Sequence, residues 1–430
     1  MHMIDLRGLT SVAAISGEDV RAIAAAALEG RDVLCISVLS EAGLACEQRE
    51  GRAARDNEEE AMQRRQFLKL GAVTTGAVAL AGVWRMGGRS ALAQSSAPPT
   101  VDRLVMTTVV DNFYDAFARG GKLDTITVQR TSLPSGRPLI AEHGLAYHLE
   151  SVRGPERREI LLDFGYRTST LTQNYAALKL DPTNADALII SHGHVDHFGG
   201  LPDFALVAQG RWKPGLTLYA GGEDTFCHRM VMNPAGGAQD YGQLNRAGLE
   251  GGGLKVVLAK QPTVVSGHAF TSGQIPRTTD FEQSPASARL VAGPVDSACS
   301  ATHFGVTKVE VKPGDLVSDT FQGEHAIAYH VKDRGLVVIT SCGHAGVINS
   351  TRQAQKATGI QKVHAIVGGF HLAPAPDEIV AKTVTAFKEI NPDYIIPMHC
   401  TGLNTIIAVQ REMPKKLVMP STGTRVIFGA

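Results

Sequence analysis

Within six positions, at His192, His194, Asp196 and His197, the chain carries three imidazoles and a carboxylate. They follow the apolar run Ala187-Leu-Ile-Ile190 and precede Gly199-Gly200, the pattern of a short buried strand and a turn. On an extended run, His192 and His194 point the same way, because side-chain direction repeats every two residues. A turn at the strand end can bring Asp196 and His197 round to a second point, about 3.5–4 Å away, the spacing of paired metal ions. Imidazole nitrogen and carboxylate oxygen are ligands that Zn2+ takes, and an incomplete protein shell leaves room for a reactive water. Chance histidines in a polar loop are the competing reading, which their density directly after an apolar strand disfavours.

Three more histidines share one setting, an apolar strand followed by a histidine among small or turn residues. They are His344 in Ser341-Cys-Gly-His-Ala-Gly346, His371 in Gly368-Gly-Phe-His371 and His399 in Pro397-Met-His-Cys-Thr-Gly402. One such histidine alone would read as a satisfied structural group. Three of them beside the 192–197 run point to distant segments converging to complete a metal shell.

The run from His192 to His197 resembles the signature of the metallo-β-lactamase-fold hydrolases. Asp163-Phe-Gly165, Ala141-Glu-His-Gly144, Gly273-Gln-Ile-Pro-Arg277, Ser341–Asn349, Gly368–Leu372 and His399–Gly402 narrow it further. Together they look like the group named for 7,8-dihydropterin-6-yl-methyl-4-(β-D-ribofuranosyl)aminobenzene-5′-phosphate synthase. The resemblance implies an α/β fold, the four-layer αββα sandwich, over residues 94–430. It implies two divalent metal ions, Zn2+ in the first instance with Mn2+ or Fe2+ as alternatives. His192, His194 and His344 would hold one ion, and Asp196, His197 and His399 the other. His371 stands where the wider superfamily places a bridging aspartate, and is expected to ligate or to orient substrate or a metal-bound water. Asp196 is also expected to be catalytic, orienting the nucleophile, and Asp163 to fix an imidazole from behind. Glu142, His143, Arg277 and Thr401 lie in family-like segments and are expected to line the substrate pocket, Arg277 as an anion contact. Cys342 and Cys400 are read from their family position as small packing residues near the site, with thiolate ligation as the alternative and a disulfide as a weaker one.

The elements that must position these groups are legible in outline. Strands are predicted at Leu104–Val110, His148–Val152, Glu159–Leu162, Ala187–Ile190, Leu216–Tyr219 and Lys255–Leu258. Others follow at Ala326–His330, Gly335–Thr340, Val363–Val367 and Tyr394–Pro397. Helices are predicted at Thr168–Leu178, Ser350–Thr358, Pro376–Glu389 and Leu403–Glu412. Many strands with interspersed helices suggest an α/β protein with layered sheets. Gly251–Gly253 lacks the pattern of a phosphate-binding loop and is read as a flexible loop.

At 430 residues and 43% apolar content the chain can build a large core. Its formal net charge is zero, with no basic run among aromatics, so no nucleic-acid partner is expected. The six cysteines include no C-x-x-C pair and no disulfide-framework spacing. Met62-Gln-Arg-Arg-Gln-Phe-Leu-Lys69, the apolar run Leu70–Trp84 and Ala91-Leu-Ala93 have the order of an export signal: charged, apolar, then a small-residue cleavage site. The Arg64-Arg65 core resembles a twin-arginine signal. Residues 62–93 are therefore expected to be a signal peptide cleaved near Ala93, with the twin-arginine machinery as partner and a periplasmic or otherwise exported product. Residues 1–61 read as a non-native extension upstream of a mis-assigned start. The mature chain has no apolar span long enough for an integral membrane anchor.

The function expected is an exported metal-dependent hydrolase. Metal-bound hydroxide would attack an ester, lactone or phosphoester bond of a small, anionic substrate. The alternatives are a synthase-like transferase on a phosphorylated pterin precursor, a non-catalytic metal- or ligand-binding protein, and an iron redox protein of the same fold.

Overall fold

Strand Ala187–Ile190 shows how the layers arise from the sequence. All four residues are buried, yet they face two different cores, as the two-residue period of a strand requires. Ala187 and Ile189 pack between two sheets, while Leu188 and Ile190 pack outward against helices. The next strand, Glu156–Leu162, repeats the division, with Ile160 and Leu162 inward and Leu161 outward. Each fully buried aliphatic side chain of this kind stabilises the fold by about 1.5–3 kcal/mol.

The computed structural model of the protein describes residues 98–131, 138–304, 310–373 and 375–429. The expected extension, signal peptide and cleavage site lie outside the described residues. One sheet has nine strands and a second has seven. Ala187–Ile190 is flanked by parallel neighbours in the first, Glu156–Leu162 and Thr217–Ala220. In the second, Gly335–Thr340, Val363–Gly368 and Tyr394–Pro397 run parallel to one another. Helices Thr168–Leu178 and Leu201–Val207 cover the outer face of the first sheet through Leu171, Tyr175, Leu201 and Phe204. Helices Val347–Thr358, Asp377–Ile390 and Leu403–Glu412 cover the second through Ile348, Val384, Phe387 and Val409. The result is helix, sheet, sheet, helix. Among the described residues no helix is long and apolar enough to cross a membrane.

The structure extends or corrects the sequence reading at several places. Helix Val347–Thr358 starts a turn earlier than its own sequence suggests. Its first amides are capped from outside, by Glu282, whose oxygens accept from Ile348 N at 2.8 Å and Asn349 N at 2.9 Å. Gly251 closes a short helix, Arg246–Gly251, rather than lying in a loop. Asn245 caps that helix by accepting from Gly248 N. A small third sheet, Arg229–Met232, Ala238–Asp240, Ala288–Val291 and Leu316–Ser318, was not foreseen. Nor was the disulfide beside it, Cys227–Cys299, joined across 72 residues.

Candidate metal centre

His192 and His194 leave the end of one parallel strand, and His344 leaves the end of Gly335–Thr340 in the other sheet. Their donor nitrogens lie within 4.8 Å of one another. The ring centroids are 4.7, 4.8 and 4.7 Å apart. Phe321 stacks on His344 at 4.0 Å and closes the apolar side of the trio. Burial holds all three imidazoles well below the usual histidine range, so each is neutral and keeps a lone pair. His192 Nε2 and both ring nitrogens of His344 are buried without a hydrogen-bond partner. Leaving a buried polar atom unpaired costs about 1–3 kcal/mol. Convergent orphan nitrogens of this kind fit a divalent ion at roughly 2.0–2.1 Å.

A second cluster surrounds Asp196. Its Oδ2 lies 3.2 Å from His399 Nε2, 3.3 Å from His143 Nε2 and 3.7 Å from His197 Nε2. His197 Nε2 and His399 Nε2 are themselves 3.3 Å apart. Burial works to raise the Asp196 carboxyl, but His197 and the hydrogen bonds from His143 and His399 outweigh it and bring it well below the carboxylate range. Asp196 Oδ1 has no hydrogen-bond partner. This cluster could hold a second ion. His143 is its exposed member; its hydrogen bond to Asp196 raises its pKa.

The backbone around both clusters is fixed by buried polar groups. Asp163, in the left-handed region at φ 57°, accepts from His197 Nδ1 at 2.7 Å and from Ser191 Oγ at 2.7 Å. Ser191 Oγ lies in turn 3.0 Å from His192 Nδ1. One carboxylate thus holds two imidazoles with their Nε2 atoms turned to the site. Asn112 Oδ1 is 3.0 Å from His399 Nδ1 and does the same for that ring. Asp111 accepts from His399 N at 2.9 Å, and burial pushes its carboxyl up to about 6. Glu324 accepts from the backbone amides of His344 and Ala345, clamping that turn. Arg229 is buried in ion pairs with Asp319 at 2.8 Å and Asp224 at 3.4 Å, and donates to Gly193 O at 3.3 Å. A Cβ at position 193 would collide with the Arg229 guanidinium and the Thr225 carbonyl, so the residue between His192 and His194 must be glycine.

The structure brings together His192, His194, Asp196, His197, His344 and His399, with His143 beside them and Asp163 behind. His371 lies against the histidine centre, its ring 4.1 Å from that of His344, and groups with Cys342 and Cys400. Three residues expected in the substrate pocket have other work. Glu142 accepts from Arg167 N and Thr170 Oγ1, tying down the start of helix Thr168–Leu178. Thr401 is fully buried, accepting from Phe370 N and donating to Gly368 O. Arg277 donates to backbone carbonyls, among them His344 O at 2.9 Å. Asp111, Asn112, Arg229, Glu324 and Phe321 went unnoticed in the sequence. Asp111 alone carried a signal, a carboxylate directly after an apolar strand, as Asp163 is. Tyr241, packed edge-on to His194 at 4.9 Å, carried none.

The two packed sheets and their helical covers, with the histidine–aspartate centre at the strand ends, have the metallo-β-lactamase superfamily fold. The family model described as the metallo-beta-lactamase superfamily matches residues 149–219, which include the whole histidine run. The crystal structure of Tm1679, a metal-dependent hydrolase of the β-lactamase superfamily, superposes with a TM-score of 0.54 at 20% identity. That match covers 75% of this chain and 98% of the other. More particularly, the chain is a distant homologue of the 7,8-dihydropterin-6-methyl-4-(β-D-ribofuranosyl)-aminobenzene-5′-phosphate synthase of Methanocaldococcus jannaschii. The two are 27% identical over 294 residues, 66% of this chain and 90% of the synthase. An uncharacterised protein of the same organism, MJ0448, is 24% identical over 270 residues, 63% of this chain and 88% of its own length.

Proposed function

We propose that the protein is a metal-dependent hydrolase acting on an ester, lactone or phosphoester bond of a small anionic molecule. The observation that carries this reading is the convergence of two neighbouring ligand sets with orphaned donor atoms. His192, His194 and His344 would hold one divalent ion, and Asp196, His197 and His399 a second, Zn2+ being the first choice. Ions held there supply two things: a water whose pKa falls towards about 7, and polarisation of the oxygen under attack. Asp196 then accepts from and orients the attacking water. His143, exposed at the rim with its pKa raised by the hydrogen bond to Asp196, is the group that would donate a proton to the leaving oxygen.

Export is part of the proposal. It includes the twin-arginine-like segment at residues 62–93, the start at Met62 and cleavage near Ala93; the Cys227–Cys299 disulfide supports the exported destination, because such bonds persist in oxidising compartments. A second reading, a transferase acting on a phosphorylated pterin precursor, is favoured by the similarity to the archaeal synthase.

The test combines chelation with a panel of phosphodiesters, phosphomonoesters, lactones and esters. Purified protein is expected to hydrolyse at least one class, to lose activity on dialysis against a chelator and to regain it with Zn2+ or Mn2+. Hydrolysis that survives complete metal removal, or full metal content with no turnover of any class, would overturn the hydrolase reading.

A further inference from the structure

We propose that Cys342, His371 and Cys400 form a separate sulfur-rich metal site, taking a thiophilic ion of the Zn2+ class, against the wall of the histidine–aspartate centre. It does not rest on the hydrolase reading. The three residues follow three adjacent parallel strands, Gly335–Thr340, Val363–Gly368 and Tyr394–Pro397. Their donor atoms lie within 4.8 Å of one another. The two Sγ atoms are 3.1 Å apart, and Cys342 Sγ is 3.6 Å from His371 Nδ1.

A disulfide bond is about 2.04 Å long, so these cysteines are not joined. Cysteines in a packing role sit among apolar side chains. Here the polar partners of Cys400 Sγ are the other sulfur and the Cys342 carbonyl oxygen at 3.3 Å. Two thiolates and an imidazole make a ligand set suited to zinc. In tetrahedral geometry, with each sulfur ~2.3 Å from the ion, the sulfurs would sit ~3.8 Å apart, which the pair reaches by opening less than an ångström.

The backbone is shaped to hold the three together. His371 occupies the left-handed region at φ 48°, a conformation costing a non-glycine residue of order 1–3 kcal/mol, which surrounding structure must offset. A Cβ at Gly369 would lie 2.5 Å from Ser341 O and 2.8 Å from Cys400 Sγ, so only glycine lets this strand end approach the sulfur. Cys342 Sγ is also within 4.8 Å of donors on His192 and His197, which makes the sulfur site contiguous with the histidine centre.

The test is optical titration of the reduced, metal-free full chain with Co2+. The wild type is expected to show thiolate-to-cobalt charge-transfer absorption in the near ultraviolet, in addition to the visible d–d bands of cobalt on histidines. Cys342→Ser and Cys400→Ser should each abolish the charge-transfer band and lower the cobalt content by one ion, with the visible bands kept. In the wild type, both thiols should resist alkylation when metal is bound and react once it is chelated, a readout independent of either variant folding. Visible bands without charge transfer, in protein whose two thiols titrate as reduced, would remove the sulfur site and leave the histidine centre standing. Recovery of a Cys342–Cys400 disulfide from metal-loaded protein would also overturn it.

Discussion

His194→Ala is expected to lose its metal and its activity while keeping its fold. His194 is buried and shares its donor set with His192 and His344 alone. Removing it leaves two imidazoles for an ion that needs three protein ligands and one open position. Hydrolysis of any substrate found should fall by at least 10²–10³-fold, on the order of what is lost with a single transition-state contact. The side chain lies at a strand end and not between the sheets, so the stability loss should stay within about 1–3 kcal/mol. Elemental analysis and a thermal melt on the same sample separate the two effects. Full metal content with full activity in this variant would remove His194 from the centre.

Arg229→Met is expected to have the largest effect on stability. Its guanidinium is 1% exposed and lies between Asp224 and Asp319, both also buried. Burial pushes the Asp224 carboxyl up, and Arg229 acts against that rise. Methionine keeps the stem and removes the charge, leaving two carboxylates without their cation. Breaking a buried pair by deleting one partner costs about 3–5 kcal/mol. Arg229 also donates to Gly193 O and to Asp224 O at 2.5 Å, so the turn carrying His192 and His194 should loosen. The measured outcomes are a lower denaturant midpoint and weaker metal binding together. An unchanged midpoint would show that the pair contributes nothing net.

What could be read from sequence follows how local the cause is. The strands that carry the site are apolar runs buried on both faces, and such runs announce themselves. Helix Thr168–Leu178 lies where its pattern puts it. The edge strands Gly121–Leu123 and Ala238–Asp240 are exposed along their whole length and have no apolar signature to read. Strand Thr424–Phe428 alternates buried and half-buried residues, but its short run at the chain end gave little pattern. The convergence of His192, His194, Asp196, His197, His344 and His399 was legible because each repeats the same strand-then-histidine context. Glu142, Arg277 and Thr401 were expected only to line a pocket, because motif membership does not say what a side chain holds. All three hold backbone beside the site. Asn112, which holds the His399 ring, and Glu324 and Arg229, which hold the backbone at His344 and Gly193, come from distant segments, so no local pattern marks them. The pairing of Cys342 with Cys400 has the same origin, since 58 residues separate two sulfurs 3.1 Å apart.

That imidazoles from both sheets gather around a pair of cations can be decided by anomalous diffraction from crystals of the metal-loaded protein, at the absorption edge of the bound metal. Two peaks are expected about 3.5–4 Å apart. One should lie within bonding reach of His192, His194 and His344, the other within reach of Asp196, His197 and His399. Anomalous density confined to the molecular surface, or a single ion touching neither His344 nor His399, would contradict a shared two-ion centre.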